Sequence, residues 1–91
     1  MGQIAESLRQ KLTAQLHPVR LLIQDDSHDH AGHGQHHPDG ESHFTLDIVS
    51  EVFAGKSRVQ RQRLVYEILA EELKTRIHAL ALSTRTPEEA G

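Results

Sequence analysis

The stretch HFTLDIVSEVFAGKSRVQRQRLVYEILAEELKTRIHALAL, residues 43–82, decides the fold. Phe44, Leu46 and Ile48 alternate with other residues over 44–49, the period-two pattern of a half-buried strand. Phe53-Ala54-Gly55-Lys56-Ser57 then turns the chain. Ser57-Arg58-Val59-Gln60 fits a capping box, in which the serine oxygen accepts from the third helical amide and Gln60 reaches back to the cap. The spacing of Arg61, Leu64, Val65, Ile68, Leu69 and Leu73 predicts one amphipathic helix ending near Thr75. Ile77-His78-Ala79-Leu80-Ala81-Leu82 is a strand that is apolar on both faces apart from His78. A strand, a helix and a strand in succession form a right-handed crossover, which makes these two strands parallel neighbours.

Upstream of this unit, Ile4, Leu8, Leu12 and Leu16 recur every fourth residue, and Glu6, Arg9, Gln10, Lys11 and Gln15 lie between them. That is an amphipathic helix, which Pro18 ends. Val19, Leu21 and Ile23 alternate over 19–24, a strand able to pair antiparallel with 44–49. The expected fold is therefore α+β, in the order α-β-β-α-β, with a three-stranded mixed sheet and both helices on one face. The tail, Arg85-Thr86-Pro87-Glu88-Glu89-Ala90-Gly91, is expected to be flexible. No internal repeat is present. The 91 residues make one domain, too small to enclose a large substrate pocket.

Composition narrows the function. Hydrophobic residues are 36% and charged residues 25% of the chain, which is polar for a folded protein but outside the range that forces disorder. There is no cysteine, so disulfides, thiolate metal sites and cysteine nucleophiles are excluded. No apolar run approaches the roughly 18 residues of a membrane helix, and the start lacks the apolar core of a signal peptide. A cytoplasmic monomer is the expectation. The formal net charge of −3 argues against general nucleic-acid binding, because phosphate affinity comes from clustered Lys and Arg. Lys56, Arg58, Arg61 and Arg63 nevertheless form a local basic cluster on the second helix, suited to phosphate, DNA or an acidic protein surface. Against nucleic acid stand the scarcity of aromatics for base stacking and the lack of a Gly-x-x-Gly clamp. Catalytic templates also fail: Glu71 and Glu72 diverge around their helix, and no phosphate loop or nucleophile elbow is present. The chain is expected not to be an enzyme.

The compositional anomaly is histidine, at 8 residues. His28, His30, His33, His36, His37 and His43 crowd the loop 25–42 and the strand that follows it, and His78 stands on the last strand. Neutral imidazole binds borderline metals, so this loop is expected to take zinc, nickel or copper weakly. Loops this long are usually functional or disordered. With the second and third strands parallel, the loop overhangs His78, and a two-histidine site from distant parts of the chain becomes available.

Glu41-Ser42-His43-Phe44, Phe53-Ala54-Gly55-Lys56-Ser57, Arg61-Gln62-Arg63-Leu64-Val65-Tyr66, Ile77-His78-Ala79-Leu80-Ala81-Leu82 and Thr84-Arg85-Thr86-Pro87-Glu88-Glu89, in this order and spacing, resemble the BolA-like family over nearly the whole chain. The resemblance implies an α-β-β-α-β fold similar to a class II KH domain. It implies an adaptor that binds a monothiol glutaredoxin with a Cys-Gly-Phe-Ser active site and shares a two-iron, two-sulfur cluster with that partner and glutathione. His78 matches the family's ligand on the last strand. The second ligand comes from the first interstrand loop, where His30 takes the position, with His28 and His33 as alternatives. The family's usual Arg-His-Arg reads Arg61-Gln62-Arg63 here, so the role of that histidine is not carried over. The resemblance also implies an alternative, a DNA-binding transcriptional regulator of envelope and stress response acting through the basic helix.

Overall fold

The amphipathic periods of the two chain segments act together. Helix α1 (Gln3–Leu16) turns Ile4, Ala5, Leu8, Leu12 and Leu16 inward, and these residues are the floor of the core. In this computed structural model the described residues are 2–26 and 43–91. They continue through β1 (Arg20–Asp25), β2 (His43–Val49), a one-turn 3-10 helix at Glu51–Phe53, α2 (Arg58–Ile68), α3 (Ala70–Thr75), β3 (Ala79–Arg85) and α4 (Pro87–Ala90). The strands lie in the order β1-β2-β3, with β1 antiparallel and β3 parallel to β2. The mixed sheet expected from the α-β-β-α-β pattern is the one formed.

Alternation sets the layers. Phe44, Leu46 and Ile48 are essentially inaccessible to water, and they pack with α1 and with Val65, Leu69 and Ile77. Leu21, Ile23, Leu80 and Leu82 border the same cluster, which places the core on the helical side of the sheet. On the other face Leu22, Ala79, Ala81 and Ser83 are exposed, and no described element covers them. A polar tie crosses the helical layer: Lys11 Nζ and Ser7 Oγ donate to the Glu72 carboxylate, the lysine at 2.8 Å and the hydroxyl at 3.0 Å. Burial pushes the Glu72 carboxyl up, but hydrogen bonds from Lys11, from the backbone and from Ser7 outweigh it, and the net shift is downward.

The elements depart from the sequence expectation in four places. The single helix expected from Ser57 to Thr75 breaks at Leu69 (φ −102°, ψ 18°) into α2 and α3, although the Ser57–Gln60 capping box forms. The last strand begins later than expected. Arg76 and Ile77 still donate to the Glu72 carbonyl at the end of α3, so pairing starts only at Ala79. Val19 bonds to Val49 but lies before β1, and its side chain is exposed, contrary to the inward place that its alternation gave it.

The fourth departure is the segment 85–91, expected to be a flexible tail. Arg85 ends β3 and donates to Asp47, and Pro87–Ala90 form a helical turn with its own Thr86–Glu89 capping box. Glu89 also receives two hydrogen bonds from Arg61, at 2.7 and 3.1 Å. The sequence pattern does not reveal this anchor because the two residues lie on different elements.

Candidate metal-ligand end of the sheet

The parallel register brings His43 opposite Ala79, one residue after His78. Ile77 is buried and holds the chain to the core, so the next residue, His78, turns outward and is exposed. The His43 and His78 rings lie with centroids 6.2 Å apart and planes tilted by 60°. Two imidazoles on one ion, each with a metal–nitrogen bond of about 2 Å, put their centroids ~5 Å apart. Among the described residues no group of three or more His, Asp or Glu side chains is arranged to hold a metal, so an ion held by this pair would need further ligands.

The connection between β1 and β2 opens at the same end. Asp26 N–H donates to the His43 carbonyl at 2.7 Å, and its carboxylate accepts from Gln24 Nε2 and Thr45 Oγ1. These bonds hold Asp26 and His43, the two residues that flank 27–42, together at this end of the sheet. A shallow groove of about 250 Å³ lies at the same end, lined by Asp26, His43, Phe44, Ala79, Leu80 and Ala81. His28, His30 and His33, the loop candidates, lie outside the described residues, as do His36 and His37. The structure therefore brings His78 together with His43, which the sequence reading grouped with the loop histidines without naming it as a ligand. The missed signal was the register, since residue 43 opens β2 as residue 79 opens β3.

The basic cluster divides. Arg58 and Arg63 are exposed and Lys56 is half-buried. Arg61 is turned inward, with its side chain only 12% exposed. Its Nε donates to the Lys56 carbonyl and Nη1 to the Thr84 carbonyl, while both terminal nitrogens bind Glu89 and the guanidinium lies over the Phe53 ring. Four of its five N–H donors are thereby committed within the chain. Arg61 holds the Glu89 carboxyl down at about 2. Arg61 was expected as a nucleic-acid contact; its observed position is that of an internal strut, because no outward conformation keeps these bonds. Gln62 donates to the Tyr66 hydroxyl at 3.3 Å.

Comparison with known proteins agrees with this architecture. The family described as BolA-like protein matches residues 12–89. Protein BOLA1, chloroplastic, of Arabidopsis thaliana is 47% identical over 94% of this chain and 55% of its own length. SufE-like protein 1, chloroplastic/mitochondrial, of the same plant is 46% identical over 98% of this chain and 25% of its own length. The chain thus spans about half of one of these relatives and a quarter of the other. The DNA-binding transcriptional regulator BolA of Escherichia coli (strain K12) is 44% identical over 94% of this chain and 78% of its own. The solved structure of BolA1 from Arabidopsis thaliana superposes with a TM-score of 0.90 at 44% identity, covering 100% of this chain and 99% of that one. The family is a non-enzymatic one. Among the described residues, no helix is long and apolar enough to cross a membrane. With the family match spanning residues 12–89 and the fold superposing along the whole chain, the chain belongs to the BolA-like protein family.

Proposed function

We propose that this protein is a cytoplasmic BolA-like adaptor that binds a monothiol (Cys-Gly-Phe-Ser) glutaredoxin and contributes histidine ligands to a shared two-iron, two-sulfur cluster, in iron–sulfur trafficking or iron and redox regulation. The observation that carries the reading is the exposed His78 beside His43, at the sheet end that holds Asp26 and His43, the residues flanking 27–42. His78 is one ligand. The second is His30, with His28, His33 and now His43 as alternatives. With no cysteine in the chain, both thiolates of a four-ligand set must come from the partner's cysteine and from glutathione. Such a cluster supplies one-electron chemistry, and replacing two thiolates by imidazoles on one iron raises its reduction potential. The residues of this chain bind and orient; they make and break no substrate bond.

The test is co-purification with a monothiol glutaredoxin and glutathione, followed by an iron count, visible absorption, circular dichroism and potentiometry. The mixed complex should differ from the glutaredoxin's own cluster and have a more positive potential, and the chain alone should retain no cluster. Identical spectra and potential with and without this protein would sink the ligand reading.

A DNA-binding regulator is the second reading, favoured by the name of the Escherichia coli relative and by the exposure of Arg58 and Arg63. Gel shifts against rising salt discriminate it. Phosphate-driven binding weakens steeply with salt and depends on Lys56, Arg58 and Arg63, and retention of all binding by the triple alanine variant would remove it.

A further inference from the structure

β3 is one of the two edge strands of the sheet, and two hydrogen bonds show which of its backbone groups face outward. The Arg85 carbonyl accepts from Ser50 N–H, on the β2 side, at 2.9 Å. The Thr84 carbonyl accepts from Arg61 Nη1, on the opposite side, at 3.0 Å. Within a strand the N–H and C=O of one residue point to the same side, and residues two apart repeat the direction. Leu80, Leu82 and Thr84 therefore turn their backbone groups away from β2. Apart from Arg61, no described residue bonds to that outer edge.

Edge strands are commonly blunted by proline, lysine, a bulge or a charge. From Ala79 to Thr84 this edge has none of these. Instead, a groove of about 440 Å³ runs between α2 and β3, lined by Arg58, Gln62, Leu82, Ser83, Thr84 and Arg85. Arg58 is exposed and has no carboxylate partner among the described residues, and Arg85 shares Asp47 with Arg20. A row of outward N–H and C=O groups beside arginines matches one kind of occupant, an extended backbone carrying acidic side chains.

We propose that the β3 edge docks an extended acidic segment of a partner protein, which adds as a further strand beside Leu80–Thr84 and sets its carboxylates against Arg58 and Arg85. Two rivals fit less well. A second copy of this chain paired edge to edge would bring the same arginines together. Nucleic acid would find no aromatic side chain in the groove on which to stack. The site uses groups distinct from the histidine pair, so it stands or falls separately from the cluster-adaptor reading.

The test uses the full chain labelled with ¹⁵N and the blocked peptide Glu-Val-Glu-Val-Glu-Val-Glu as the probe. Three further titrants are the same peptide N-methylated throughout, its Gln-for-Glu version, and a single-stranded oligodeoxynucleotide. The expected result is amide shifts and slowed exchange at Leu80, Leu82 and Thr84. Loss of two or so main-chain hydrogen bonds should weaken the N-methylated peptide about tenfold or more. The glutamine peptide, and the Arg58→Glu variant with the acidic peptide, should each bind several-fold more weakly. Absence of shifts at these amides with the acidic peptide, or equal binding of the N-methylated peptide, overturns the proposal. So does an oligonucleotide that shifts the groove when the peptide does not, and that result transfers the site to nucleic acid. The N-methylated arm needs no protein variant, so the outcome does not hinge on whether Arg58→Glu folds.

Discussion

Ile77 and His78 are adjacent in sequence and opposite in environment, and this contrast gives a sharp test of the site. Ile77 is 5% exposed within the core cluster, and His78 points to solvent. Truncating a buried isoleucine to alanine costs about 2–5 kcal/mol, through lost burial and the cavity left behind. The whole stability of a domain of this length is roughly 5–14 kcal/mol, so Ile77→Ala removes a large share of it. For a domain of this size each kcal/mol moves the melting temperature by about 4–8 °C, and Ile77→Ala should melt ~10 °C or more below wild type. An exposed substitution usually stays within about 0.5 kcal/mol, so His78→Ala should shift melting by no more than ~4 °C. The assay pairs thermal unfolding followed by circular dichroism with reconstitution of the glutaredoxin complex. His78→Ala should melt like wild type and fail to form the mixed cluster. If His78→Ala melts as low as Ile77→Ala, the side chain is a structural member of the sheet end and the ligand argument fails. If it melts normally and the mixed cluster forms unchanged, the fold assignment stands and the ligand assignment is refuted.

Further outcomes follow from the polar ties. Because the Glu72 carboxyl is lowered relative to the unfolded chain, its contribution is present above the ordinary carboxylate range and lost as pH falls through the lowered value. Lys11→Met should cost about 1–2 kcal/mol at pH 7, less than for a fully buried pair because the lysine is 38% exposed, and urea midpoints that match wild type would contradict it. Glu89, held at about 2 by Arg61, keeps its clasp until pH falls through that value, and Arg61→Ala should return it toward the ordinary carboxylate range, as read by NMR titration of its side-chain carbon. His17 ends α1 in the left-handed region at φ 44°, where glycine is at ease, so His17→Gly should stabilise by about 0.5–1 kcal/mol, visible as a raised melting temperature. The histidines of 27–42 should bind zinc, nickel or copper weakly at neutral pH and release them near pH 5 as imidazole protonates, and calorimetry without heat above buffer would remove that expectation.

The tie between local pattern and fold is close here. The period of two in Phe44, Leu46 and Ile48, the Ser57–Gln60 cap and the four-residue spacing of Leu8, Leu12 and Leu16 each report which face of an element is buried. Burial of one face is a local property of the chain, so those patterns are enough to place α1, β2 and the start of α2. The rule for strand–helix–strand crossovers supplies the parallel pairing of β2 with β3. The block order from Glu41 to Glu89 carries the family, and His78 was legible as a ligand candidate through that resemblance.

What the chain alone did not disclose are meetings between elements, which depend on register and rotamer. Local alternation offers no sign that Arg61 spends its donors on Thr84 and Glu89, so an internal strut reads in sequence as one more member of a basic helix face. The break at Leu69 lies inside an uninterrupted apolar stripe, and the stripe looks the same with or without it. His43 reads as the last of the loop histidines. Only the pairing of His43 with Ala79 brings its ring to 6.2 Å from that of His78, because a shift of one residue in a strand would turn its side chain to the other face of the sheet. Sequence by itself determined α1, the three strands and the start of α2, their order and the family, since these follow from local periodicity and motif spacing. Tertiary structure decided which side chains of distant elements touch, and so which histidine stands beside His78 and which arginines remain free to meet a partner.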